Sequence, residues 1–292
     1  MSMDRLQEKI RKTKNVAVLD FDIKPDQIPP HILQQEVHYT KAYARFCVEL
    51  LEGLKGLVPA VRFSFSAFAL LGSDGLSALS FVSEQARKMG FYILMDVPEA
   101  LSAQRAQCNA DLLFSDDVTW EFDGLIISSF IGSDAIKPYT IPLETAEKSL
   151  FVAVRTGNRT APELQDLLSG GRHVYEAQAD IVNRFKNQKA TRSGYDRVAL
   201  IGPASSAAIL RKLREKYKNL FILIDGYDYP NGNAKNCAEA ADQLGHGIAV
   251  CVGTSVTAAW KIAEKDGIDF VEDAKEAVLR MKNNLKRYFT IL

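Results

Sequence analysis

The stretch GLSALSFVSEQARKMGFYILMDV, residues 75–97, changes its hydrophobic period partway through. Up to Met89 the apolar residues Leu76, Leu79, Val82 and Ala86 return every three or four positions, the spacing of an amphipathic helix. Gly90 then ends the helix, because glycine readily adopts the left-handed turn that closes one. From Phe91 to Val97 the chain is apolar apart from one acid, Asp96, as a strand buried on both faces reads. A helix leading straight into such a strand implies parallel strands covered by helices.

Working outward, the same unit recurs over the whole chain. Apolar or β-branched runs stand at NVAVLDF (15–21), VPAVRFSFS (58–66), FYILMDV (91–97), FDGLIISSF (122–130), LFVAVRT (150–156), RVALIG (197–202), LFILIDG (220–226) and GIAVCVG (247–253). Helix-period segments lie between them, at 38–56, 75–90, 160–168, 206–219 and 236–245, many opening after Ser, Thr, Asp or Asn and closing on Gly or Asn. Eight such units predict an α/β chain folded as a single (β/α)8 TIM barrel over 1–292, with an N-terminal helix over 1–14 and a C-terminal helix over 270–288. The alternative, an open doubly wound sheet, would carry G-x-G-x-x-G after its first strand, where LDFDIKP stands instead.

The 292 residues, 47 % hydrophobic and 25 % charged, suffice for a large core. The 36 basic and 36 acidic side chains cancel, so neither nucleic acid nor a membrane is expected as a partner. The polar start MSMDRLQEKIRKTK lacks an apolar signal core, and the chain reads as cytoplasmic. Its four cysteines form no C-x-x-C and its four histidines no H-E-x-x-H, so reduced thiols are expected and structural zinc is not.

In such barrels chemistry sits where the strands end. The first strand offers Asp20, Asp22 and Lys24 there, the second Arg62, Ser64 and Ser66, the third Asp96 and Glu99, and the fourth Ser128 and Ser129. The fifth offers Arg155, Thr156 and Asn158, the sixth Ser205 and Ser206, the seventh Asp225, Gly226, Tyr227, Asp228 and Tyr229, and the eighth Gly253, Thr254 and Ser255. Any one of these serves equally well as a helix cap or loop hydrogen bonder. The acids after the first, third and seventh strands, converging on one mouth, are a collective signal. Asp20, Asp22, Asp225 and Asp228 are weak candidates for a divalent cation, which binds through oxygen.

Read in order, DRLQEKI, LDFDIKPDQIPPHIL, ALLGSDGLSAL, SSFIGSDAIKP, FVAVRTGNRTAPELQDL, ILIDGYDYPNGNAKN and AVCVGTSVTAAW resemble the longer bacterial branch of the orotidine 5′-phosphate decarboxylase family over nearly the full chain. VRTGNRTAPELQDL and IGSDAIKP are the specific pieces. The resemblance implies a homodimer that removes carbon dioxide from orotidine monophosphate without metal or organic cofactor. It also implies a lysine on the second strand and D-x-K-x-x-D on the third, whose lysine protonates the product and whose last aspartate crosses into the partner's site.

Here this sequence departs. Arg62 stands for the first lysine; Asp96 matches the first aspartate, but Pro98 replaces the proton-donating lysine and Leu101 the second aspartate. Ala106 and Ala110 keep the register, and no lysine lies between Lys88 and Lys137. The family's glycine-rich phosphate loop becomes Asp225 to Gly232 with two new acids, and the arginine after the eighth strand becomes Thr254. The Gly253, Thr254, Ser255 turn keeps backbone N–H groups able to receive an anion. Asp22 aligns with the family's ribose-contacting aspartate, and Asp20 replaces a glycine.

The expectation is therefore a barrel without intact catalytic residues, Arg62 and Asp96 being remnants. It binds a small molecule such as a nucleotide or nucleoside through Asp20, Asp22, Arg62, Asp96, Thr156, Asn158, Gly226, Tyr227, Gly253, Thr254 and Ser255, with no cofactor. The alternatives are a different lyase-type or metal-assisted enzyme on the same scaffold, or a working decarboxylase using Arg62 or Lys24 as donor. An Arg62–Asp96 salt bridge is expected, with Tyr227 and Tyr229 narrowing the entrance.

Overall fold

All eight expected strands form, and they close on one another. In a computed structural model that describes residues 2–186 and 191–291, barrel strands β1 (Ala17–Phe21), β2 (Ala60–Ser64), β3 (Tyr92–Asp96), β4 (Gly124–Ser128), β5 (Ser149–Ala153), β6 (Val198–Pro203), β7 (Ile222–Asp225) and β8 (Ile248–Val252) follow one another. Their spatial order is β1-β8-β7-β6-β5-β4-β3-β2, and every pairing is parallel. Closure removes the exposed edges that an open sheet would leave, and helices outside bury the other face of each strand. The near-continuous apolar character of the runs follows from that double burial.

The two ends of the barrel differ in chemistry. Where the strands begin, the helix Ser2–Thr13 lies across the opening with Met3, Leu6 and Ile10 fully buried. Ser2 Oγ lies 2.8 Å from the Tyr92 hydroxyl and donates to the Asp123 carbonyl. The buried Asp123 carboxylate takes Arg5 at 2.5 Å, Arg87 at 2.9 Å and the Ile93 N–H at 2.9 Å. That end is sealed by packing and paired charge, which leaves the opposite rim for function. Outside, Phe270–Lys286 packs its Phe270 ring 5.0 Å from Phe46 of the helix Tyr39–Leu54.

The helix over 75–90 extends as Gly72–Met89 and ends, as read, at Gly90 with φ 88°. Two expected helices need correction. Segment 160–168 makes only a 3-10 turn, Ala161–Glu163, then an antiparallel pair, Leu168–Ser169 with Arg172–His173, before the true helix Val174–Arg184. Side chains win there: Asp166 pairs with Arg155, and the Gln165 oxygen accepts from the Thr156 N–H, so residues after Glu163 serve the preceding strand end. Segment 236–245 is helical only within Ala234–Ala238. The Asp242 carboxylate accepts the Leu244 and His246 N–H groups, an alternative to helical bonding that aspartate commonly offers. Met1, the first residue of the expected N-terminal helix, and Leu292 lie outside the described residues. Cys47, Cys237 and Cys251 are buried and, like Cys108, are free thiols. No helix among the described residues is long and apolar enough to cross a membrane.

Candidate functional site

Strand register decides which strand-end groups meet. Arg62 stands directly opposite Asp20 across the β1–β2 ladder, and Asp96 lies two residues beyond its opposite number, Leu94, on β3. The guanidinium spans that offset: Nη2 is 2.5 Å from Asp96 Oδ2, while Nη1 is 3.3 Å from Asp20 Oδ2 and 3.4 Å from Asp225 Oδ1. The expected Arg62–Asp96 bridge is present, and two further acids share its cation. Only 16 % of the Arg62 side chain is exposed.

One guanidinium cannot balance three carboxylates, and the imbalance falls on Asp20. Burial pushes its carboxyl up, Arg62 draws it down, and the charges on Asp225, Asp22 and Asp96 push it up again, to about 7. Its Oδ1 and the Arg62 Nε are buried without hydrogen-bond partners. Burial also works against the charge on Arg62, but Asp20, Asp96 and Asp225 hold it cationic, well above the ordinary arginine range. Burial pushes up the Cys251 thiol beside Arg62, so it is no ready nucleophile.

Around this core the rim is built from loops. After β7 the chain turns at Gly226, whose φ of 79° suits glycine, and an added Cβ would meet the Tyr229 ring at 2.7 Å. That ring also lies against Gly157 of the β5 loop, so Tyr229 joins two sides of the entrance. Tyr227 does not: it packs against the core and bonds toward Asn284 on the C-terminal helix. Asp228 turns to the β8 loop, where its Oδ2 accepts the Gly253 N–H at 2.8 Å and the Ser255 N–H at 3.3 Å.

Several other candidates have local duties. Thr156 donates to Asn158 at 2.6 Å and is held by Gln165. Arg155 is committed to Asp166, and Ser64 and Ser206 cap helices. The Thr254 hydroxyl accepts from Gln27, which also accepts from Thr257 and, through its carbonyl, from Trp260. Gln27 thus ties the β1 and β8 loops together; no motif signals it. Asp22 and Lys24 are exposed at the rim. Of the four weak cation candidates, Asp20 and Asp225 hold Arg62 and Asp228 holds backbone, and among the described residues no group of three or more His, Cys, Asp or Glu is placed to bind a metal. The carboxylate oxygens of Asp20, Asp225 and Asp228 are drawn to donors already in the chain.

At the end of β3, Pro98 and Leu101 both face solvent, Leu101 being 79 % exposed. The Pro98 carbonyl accepts from Asn109.

No family model matches the chain. Among curated proteins, it is 25 % identical over 295 residues to orotidine 5′-phosphate decarboxylase of Rhodopirellula baltica, covering 97 % of this chain and 98 % of that one. It is 27 % identical over 287 residues to the Clostridium novyi enzyme of the same name, covering 98 % of each. Among solved structures, orotidine 5′-monophosphate decarboxylase of Plasmodium berghei matches with a TM-score of 0.78 at 13 % identity, over 98 % of this chain and 99 % of that one. Leishmania donovani OMP decarboxylase matches with 0.71 at 20 %, over 97 % and 98 %.

Proposed function

We propose that this orotidine 5′-phosphate decarboxylase-like barrel does not decarboxylate orotidine monophosphate and acts instead as a binding or regulatory module for a nucleoside-like small molecule. The observation that carries the reading is Pro98, a side chain with neither proton nor charge, where the resemblance places the proton donor. Losing a positioned general acid costs roughly two to four decades of rate. Losing a preorganised electrostatic partner, here Leu101 for an aspartate, costs about two to three more, and such losses overlap when the groups act as a unit.

Arg62 does not substitute for the missing donor. Its cationic form is held by three carboxylates, and arginine releases its proton too reluctantly near neutrality. A metal-assisted enzyme on the same scaffold gains no support from acids that are bound to Arg62 and to backbone. The homodimer implied by the resemblance is part of the proposal. Leu101, with Leu70 and Phe130 on the loops after the neighbouring strands β2 and β4, gives it an exposed apolar rim.

The test is the purified protein with orotidine monophosphate, followed by pyrimidine absorbance. No change should occur at high enzyme concentration. Turnover that Asp96→Asn abolishes would overturn the proposal.

A further inference from the structure

In (β/α)8 barrels the turns after the seventh and eighth strands commonly receive phosphate on backbone N–H groups. The corresponding turns here run from Asp225 to Gly232 and from Gly253 to Ser255, and the position is already taken. A single oxygen, Asp228 Oδ2, accepts both the Gly253 N–H at 2.8 Å and the Ser255 N–H at 3.3 Å. The carboxylate is delivered by a closed loop, in which the Tyr229 N–H bonds back to Gly226 and the Gly232 N–H to Tyr229.

We infer that Asp228 is a specificity-determining residue: it occupies the anion position with the chain's own carboxylate and makes this barrel refuse phosphorylated ligands. The ligand class is thereby narrowed to molecules that are neutral or cationic at that end of the site, an unphosphorylated nucleoside rather than a nucleotide. This deepens the binding reading above and rests on it only for the ligand's identity.

Two features support exclusion rather than sharing. Among the described residues Asp228 has no ion-pair partner, so no local cation is ready to hold a second anion beside it. Arg62, the guanidinium among the strand-end acids, is committed to Asp20, Asp96 and Asp225. An incoming phosphate would therefore meet a carboxylate at the donors it needs, with other acids behind it. Like charges placed against a ligand are an effective way to reject it.

The experiment titrates uridine, uridine monophosphate and inorganic phosphate into the wild-type chain, Asp228→Ala and Asp228→Asn by calorimetry. Wild type should bind uridine monophosphate no better than uridine. Asp228→Ala, which empties the turn and removes the charge, should bind uridine monophosphate about tenfold tighter than wild type does, roughly one charge-assisted contact. Asp228→Asn should gain less, because its amide oxygen can still accept the two N–H groups. A wild-type preference for the monophosphate of tenfold or more, or a folded Asp228→Ala with no gain, overturns the inference.

Should the alanine variant not fold, the Gly253 and Ser255 amide resonances of the wild-type chain decide. They should stay in place when phosphate is added, and saturable movement would refute the role of Asp228. Absence of uridine binding with a gain for the monophosphate in Asp228→Ala would sink the nucleoside reading while sustaining the exclusion.

Discussion

Asp20 carries the least comfortable charge at the rim, and its behaviour with pH follows from its neighbours. Its carboxyl titrates at about 7 in the folded chain against 3.8 for an ordinary aspartate, so between those values the folded state binds more protons than the unfolded state. The group's contribution to stability is therefore fully present below the unfolded value and is lost as pH rises through about 7. Urea unfolding of the wild-type chain across pH about 5 to 8 should show a stability decline that Asp20→Asn flattens, since the amide cannot ionise. Parallel profiles for the two proteins would show that Asp20 is not the strained acid. Pro98, by contrast, carries the proposal through what it lacks, and that was legible directly: a residue type states its chemistry without a structure.

At the scale of elements, the N-terminal helix is the piece with the clearest mechanical role. Met3, Leu6 and Ile10, at the spacing of one helical face, are fully buried against the end of the barrel opposite the site. Leu6→Ala should cost about 2 to 5 kcal/mol in urea unfolding, because a sealed barrel end has little freedom to collapse into the space. A loss below about 1 kcal/mol would mean that the helix only lies over the opening. Strands and long helices were readable because their hydrophobic periods run through many residues. The segments at 160–168 and 236–245 were not, because single side chains settled them: Gln165 and Asp166 serve the β5 end, and Asp242 caps its own loop. Periodicity reports the average burial of a face and is blind to such individual bonds.

At the scale of the whole molecule, closure sets the function of the rim. Going round the barrel β1, β2 and β3 are neighbours, while β7 reaches β1 through β8, and that circuit lets one arginine touch acids from three strands. The loops after β2, β3 and β4 present Leu70, Leu101 and Phe130 on one side of the same rim. Light scattering should give a mass twice that of the chain, and Phe130→Asp should shift it to the monomer by placing a charge in the apolar contact. A wild-type monomer would remove the dimer from the proposal. By itself the sequence determined the barrel, the direction its strands run and the proline at position 98, since burial periodicity and residue identity are written along the chain. Only the tertiary structure decided that Arg62 serves three carboxylates at once, that Tyr227 turns away from the mouth while Tyr229 crosses it, and that Asp228 accepts the Gly253 and Ser255 N–H groups. Those outcomes depend on register across strands and on distances of a few ångströms between loops far apart in sequence, which no local pattern encodes.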